Sequence, residues 1–145
     1  MNTNIFKAYD IRGKYPEEIN TKVVQTVSRA LAEFFSAKGA LPAGRQGSAS
    51  GGKKGKVVLG HDVRFGSREL YRAAAQGLKR SNPKLKIVEA GLMTTPALYF
   101  LVNYFGASGG LMITASHSPK EINGLKVVGS GAAPIGGKDI LRLLR

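Results

Sequence analysis

An α/β fold with a layered, mostly parallel sheet is what this sequence predicts, and three features carry it. Short β-branched runs such as "KVVLG" and "KIVEAG" are apolar on both faces, as strands covered from two sides must be. Segments with helical spacing separate those runs. Thr, Pro, Asn and Gly stand where the helical segments would start and stop.

The first element is the clearest. From Asn20 to Lys38, the residues Val23, Val24, Val27, Ala30, Leu31, Phe34 and Phe35 recur at helical spacing. Asn20 can cap the start and Gly39 can stop the helix. The stretch 40–55 is rich in Gly, Ser, Ala and Lys and has no periodicity. It predicts a flexible insertion, because such a composition buries too little surface to offset its ordering entropy. Residues 56–60 read as a strand. Residues 67–81 read as a helix, with Ser67 as cap and Leu70, Ala74 and Leu78 on one face. A strand follows at 86–91. Residues 95–106 make the next helix, with Thr95 as N-cap, Pro96 at the first helical position and Gly106 as terminator. Its aromatic residues, Tyr99, Phe100, Tyr104 and Phe105, predict core and interface packing rather than a base-stacking surface. "GGLMIT" (109–114) and "LKVVG" (125–129) are strands too close in sequence for a helical crossover. They should pair antiparallel or lie apart, which makes the sheet mixed. "GKDILRLLR" (137–145) begins a final helix.

The 145 residues form one domain with 43% hydrophobic content, enough for a core. No apolar run approaches the ~20 residues that cross a bilayer. The N-terminus lacks the basic-then-apolar order of a signal peptide. The absence of cysteine excludes disulfides and thiolate chemistry, and a cytoplasmic location is the simplest expectation. Against 9 acidic residues stand 22 basic ones, a net charge of +13 that points to an anionic partner. Part of that charge (Lys38, Arg45, Lys53, Lys54 and Lys56) falls in or beside the insertion, which holds no acid.

In open α/β sheets, ligands bind beyond the C-terminal ends of the strands. Two polar clusters fall there: His61, Asp62, Arg64 and Ser67 after the second run, and "TASHSPKEINGLK" after the fourth. A third, "AYDIRG", supplies Tyr9, Asp10 and Arg12. Ser116 beside His117 invites a hydrolytic reading. That chemistry needs the imidazole to reach the serine Oγ and an acid to orient it. Neighbours in extended chain point apart, and no G-x-S-x-G elbow surrounds Ser116. A polar turn satisfied by its own backbone is the simpler reading of the pair. If the loops meet at one sheet end, Arg12, Lys120 and Lys126 converge with Ser116. A serine among cations suits a phosphorylated serine or a phosphorylated substrate. Asp62 and Arg64 read either as part of that site or as an ion pair that holds its loop. His61 reads as a hydrogen-bonded loop residue. With two histidines and no close carboxylate cluster, the chain offers no all-protein metal site.

These motifs resemble those of a known family. "TASHSP" followed by "NGLK" resembles the active-serine signature of the α-D-phosphohexomutases, T/G-A/G-S-H-N-P with N-G-x-K after it. "FKAYDIRG" resembles the opening motif of the phosphomannomutase/phosphoglucomutase branch, "VVLGHDVRFGS" its G-x-D-x-R segment and "EAGLMTTPALYF" its G-x-x-x-T-P segment. The matches run in family order from Phe6 to about Val128. The resemblance implies an N-terminal domain over 1–145 with a three-layer α/β/α sandwich around a mixed, mostly parallel sheet. It implies that Ser116, as phosphoserine, passes its phosphoryl group to a hexose monophosphate and regains one from the bisphosphate intermediate, so that phosphate moves between the 1- and 6-positions. His117, Lys126 and Arg12 would share the catalytic work, the last two facing the phosphate and assisting proton transfer. Tyr9, Ser118 and Lys120 would contact substrate, and Asp62 and Arg64 would be supports. Mg²⁺ would sit on the Ser116 phosphate, with its other ligands outside this chain. The partners implied are a hexose phosphate and the later family domains, with no membrane and no specific nucleic acid.

The sequence departs from the family in places. Ser118 replaces the usual Asn, "RFGS" replaces R-x-S-S/G, and the 40–55 insertion is atypical. The motifs of the later family domains are absent. The expectation is therefore a fragment that carries the serine but turns over negligibly alone. Two alternatives stand beside it. One is the N-terminal domain of a phosphoglucosamine mutase, against which "AYDIRG" argues. The other is a basic module that binds a polyanion.

Overall fold

The structure, a computed structural model, describes residues 1–36 and 53–145. The predicted stop at Gly39 and the predicted insertion at 40–55 lie outside the described residues, apart from the last three of the insertion. There the chain has already entered a strand.

In chain order the elements are β1 (Ile11–Lys14), α1 (Thr21–Ser36), β2 (Lys53–His61), α2 (Ser67–Ser81), β3 (Lys86–Leu92), α3 (Thr95–Tyr104), β4 (Ala107–Ile113), β5 (Ile122–Gly129), β6 (Pro134–Ile135) and α4 (Gly137–Leu143). They build one six-stranded sheet in the order β1-β5-β4-β2-β3, with β6 beside β5. β2 runs parallel to both β3 and β4. β5 is antiparallel to β4, and β1 and β6 share its other edge, both antiparallel. The α/β class and the mixed, mostly parallel sheet are as the sequence predicts: β1 and β6, each antiparallel to β5, run in the same direction as β2, β3 and β4, so β5 alone is reversed. Parallel pairing is confined to β3-β2-β4. No α-helix separates β4 from β5, and only a single 3-10 turn at Ser130–Ala132 separates β5 from β6, so each of those connections reverses direction.

Two cores flank the sheet, and strand periodicity sorts residues between them. On β2, Val57 and Leu59 enter the core under α1 and α2, and Val58 enters the core under α3. On β4, Leu111 and Ile113 face the first core and Met112 the second. α1 supplies Val24, Val27, Leu31, Phe34 and Phe35, all buried. α2 supplies Leu70, Ala74 and Leu78. Helices on both faces make the three layers. α1 and α2 pack closely at Gly77, where an added Cβ would stand 2.7 Å from the Gln25 carbonyl oxygen.

The caps partly follow the sequence. Asn20 Oδ1 accepts the Val23 N–H at 3.1 Å, as expected of an N-cap. Ser67 does not cap α2. Gly66 holds that position at φ 79°, and the buried Ser67 hydroxyl donates to Asp62 Oδ1 at 2.7 Å. The cap of α3 is Thr94, whose Oγ1 accepts the Ala97 N–H at 3.4 Å. Thr95 is already helical and donates its hydroxyl to Met112 Sδ. The α3 aromatics also divide. Tyr99 and Phe105 pack against the second core, whereas Phe100 and Tyr104 are exposed and stack on each other.

Candidate functional site

The site lies where β4 ends. The chain leaves Ile113 through Thr114 and Ala115, both buried, and surfaces at Ser116. Ser116 takes φ 54°, the left-handed region that a residue with a Cβ seldom occupies. Both peptide groups that flank it are held. Its N–H donates to Thr114 Oγ1 at 3.0 Å, and its carbonyl accepts from Arg64. The turn continues through Ser118 N–H to Ala115 O and Ile122 N–H to Pro119 O, each 3.0 Å, and returns into β5.

The left-handed residue overturns one expectation. Neighbours in extended chain point apart, but here Ser116 Oγ and His117 Nδ1 lie 3.0 Å from each other. No carboxylate hydrogen-bonds His117 among the described residues, so the orienting acid of a hydrolytic triad has no counterpart.

Strand alternation brings the cations to Ser116. Ile11 faces the α1/α2 core, so Arg12 faces the other side of the sheet. Leu125 and Val127 face that same core, so Lys126 also emerges on the α3 side. There Arg12, Lys126, Ser116 and Thr114 line a cleft of about 350 Å³. It is completed by Tyr9, Asp10 and the start of α3 at Thr95, Pro96 and Tyr99. Asp10 fixes Arg12. The Arg12 Nε donates to Asp10 Oδ1 at 2.8 Å and Nη2 donates to Oδ2, while Nη1 reaches Ser118 Oγ at 3.1 Å. The hydrogen bond that Arg12 donates to Asp10 raises the Arg12 pKa above its already high ordinary value, against the opposing effect of burial. Arg12 is therefore a fixed positive charge. Lys126 has no carboxylate partner among the described residues, so its charge is available to the cleft.

Of the residues expected at the site, Ser116, Arg12, Lys126 and Tyr9 share the cleft wall. His117 touches Ser116 from the exposed side, and Ser118 takes part through Arg12. Lys120 is exposed and does not line the cleft. His61 is satisfied locally, with Nδ1 2.7 Å from the Asp62 carbonyl oxygen and its ring edge-on to Tyr71. Sequence reasoning passed over Asp10 as the holder of Arg12. The i,i+2 spacing on an extended segment was the available signal. It also passed over Asn123, fully buried, which donates to Phe65 O at 2.9 Å and to Ser67 Oγ at 3.0 Å and so ties β5 to the turn before α2.

A magnesium ion needs hard oxygen ligands in near-octahedral array. Among the described residues no three His, Cys, Asp or Glu side chains gather to hold a metal. The nearby carboxylates are committed, Asp10 to Arg12 and Asp62 to Arg64, Ser67 and the Arg64 N–H. The cleft itself is lined by two cations. These residues do not make a Mg²⁺ site by themselves. No helix among the described residues is long and apolar enough to cross a membrane.

Comparison with known proteins places the chain among relatives. Residues 3–144 match the family model described as phosphoglucomutase/phosphomannomutase, alpha/beta/alpha domain I. A phosphomannomutase of Klebsiella pneumoniae is 38% identical over 142 residues, covering 95% of this chain and 78% of that protein. A protein of Xanthomonas campestris pv. campestris named for phosphohexose mutases, and the phosphomannomutase of Escherichia coli K12, are each 38% identical. They cover 93% and 94% of this chain respectively, and it spans 26% of either one's length. The crystal structure of a phosphoglucomutase/phosphomannomutase family protein from Burkholderia thailandensis superposes with a TM-score of 0.78 at 30% identity. The match covers 99% of this chain and 29% of that one.

Proposed function

The chain belongs to the phosphoglucomutase/phosphomannomutase family, and from that premise we propose that Ser116 is its phosphoryl carrier for hexose phosphates. The observation that carries the proposal is the cleft. An exposed serine oxygen at a strand end shares one wall with a pinned arginine and an unpaired lysine. Phosphoryl transfer needs a positioned oxygen and fixed positive charge more than elaborate covalent chemistry.

In the forward half-step the phosphorus–Oγ bond of phosphoserine breaks as a sugar hydroxyl oxygen bonds to phosphorus. The hydroxyl proton is released, and Oγ takes up a proton. The return half-step reverses these changes from the other end of the bisphosphate. Arg12 meets charge on the transferring group and keeps its own proton, which revises its expected share in proton transfer. Lys126 can supply a proton as well as charge, and His117 Nδ1 is close enough to Oγ to exchange one with it. Tyr9 is assigned to the sugar and Ser118 to holding Arg12. Lys120 adds charge outside the cleft. Mg²⁺ would find only the oxygens of a Ser116 phosphate in this site, so its remaining ligands, and the full mutase cycle, require groups that the described residues do not furnish. The exposed rim of Val63, Phe65 and Leu92 is the surface we assign to contacts with further domains.

The named relatives are phosphomannomutases and phosphohexose mutases, which supports an isomerase of that type. The test is intact mass after incubation with a hexose 1,6-bisphosphate. The wild type should gain one phosphoryl group and Ser116→Ala none. Equal gain in both would contradict the assignment. Clear interconversion of glucose 1-phosphate and glucose 6-phosphate by the 145-residue protein would contradict the proposed need for further groups.

A further inference from the structure

Arg64 belongs to the turn between β2 and α2, more than fifty residues from the serine loop in sequence, yet its guanidinium lies inside that loop. Its Nη1 donates to the carbonyls of Pro119 at 2.8 Å and Ile122 at 3.1 Å. Its Nη2 donates to the carbonyls of Ser116 and, at 2.6 Å, Ser118. Its Nε faces Asp62 Oδ2 at 3.4 Å. A guanidinium carries its N–H groups in a rigid fork, and here both terminal nitrogens donate to two carbonyls each while Nε pairs with a carboxylate. Four carbonyl oxygens of the serine loop are thus gathered on one cation.

The base of this fork is fixed to the sheet. Asp62 Oδ1 accepts the Arg64 N–H at 2.9 Å and the Ser67 hydroxyl at 2.7 Å, and Ser67 Oγ accepts from Asn123 of β5 at 3.0 Å. Arg64 itself is largely buried, and it does not line the phosphate cleft.

We propose that Arg64 is a positioning residue. By holding the Ser116 carbonyl it keeps that residue left-handed, so that Oγ opens on the cleft between Arg12 and Lys126. Its bearing on phosphoryl transfer rests on the reading of Ser116 as the carrier, while the clamp itself does not. Lysine cannot replace it. An ammonium has three donors at one point and cannot span four carbonyls and a carboxylate.

The experiment compares wild type with Arg64→Lys by three readouts. These are backbone amide exchange, phosphoryl uptake from a hexose 1,6-bisphosphate and affinity for inorganic phosphate. The clamp predicts faster exchange in Arg64→Lys at the Ser118 and Ile122 amides, with the β4 amides unchanged. Positioning predicts slower uptake at Ser116, by about 10–100-fold, because a small misplacement of a reacting atom is costly. Phosphate affinity, set by Arg12 and Lys126, should stay the same. Unchanged loop exchange overturns the clamp. Faster exchange with uptake at the wild-type rate overturns the positioning role. Equal losses of uptake and phosphate affinity would also overturn it, since Arg64 would then be acting on binding. If the wild type itself takes up no phosphoryl group, the carrier reading has failed, and exchange still decides the clamp. Should Arg64→Lys not fold, rapid exchange of Ser118 and Ile122 in the wild type would count against the clamp and strong protection for it.

Discussion

At the scale of single residues, Ser116 occupies backbone space that costs a residue with a Cβ about 1–3 kcal/mol and that persists only where neighbours over-determine it. Thr114 and Arg64 do so from its two sides. Nothing in "ASHSP" announces a left-handed serine, so this feature was not legible. One of the neighbours that impose it, Arg64, comes from a distant turn. The lining of the cleft was legible in part, because Tyr9, Arg12, Ser116 and Lys126 fall in spaced motifs that occur in family order and share its wall. Their division of labour was not. Lys120 and Lys126 look alike in sequence, and only strand alternation sends Lys126 into the cleft. That difference can be measured by titrating inorganic phosphate. Lys126→Ala should weaken binding by about 5–20-fold, the loss of one charge-assisted bond of roughly 1–2 kcal/mol. Arg12→Ala should weaken it more, because the Asp10 carboxylate is then uncovered beside the anion. Lys120→Ala should leave it unchanged. Equal effects from Lys120 and Lys126 would place the anion outside the cleft.

At the scale of elements, the long periodic segments were readable and the short ones were not. α1 and α2 carry their own signal because each buries a full apolar stripe. β1 has four residues, two of them charged, and β6 has two. Both exist because β5 offers them an edge, and pairing of that kind leaves no periodicity in the strand that joins. Consecutive threonines made the start of α3 ambiguous, since either can cap, and the structure chooses Thr94. Thr94→Ala should therefore cost about 0.5–1 kcal/mol, a fall of roughly 2–4 °C in Tm. Thr95→Ala, which gives up only a weak bond to sulfur, should cost less. Thermal melts of the two variants separate these positions, and the reverse order would restore Thr95 as the cap.

At the scale of the whole molecule, two tyrosines tie stability to alkaline pH. Tyr15 donates to Glu69 Oε2 at 2.6 Å, and that bond raises its pKa above the ordinary value near 10. Burial, followed by the charge of Glu89, raises that of Tyr71. A group whose folded pKa is raised adds stability that is fully present below its unfolded value and is lost as pH rises through the folded one. Melting temperature should therefore fall above about pH 10, and the double variant Tyr15→Phe, Tyr71→Phe should fall less steeply. An unchanged slope would mean that neither tyrosine is linked to folding. The net charge of +13 acts at this scale too, drawing anions toward a cleft lined by Arg12 and Lys126. The central claim concerns what that cleft does to Ser116. Its most direct test is phosphopeptide mapping of the protein after exposure to a hexose 1,6-bisphosphate. The account predicts a single modified residue, Ser116, and an unmodified chain in Ser116→Ala. A phosphoryl group on another residue, or a Ser116 peptide that stays unmodified in the wild type, would contradict it.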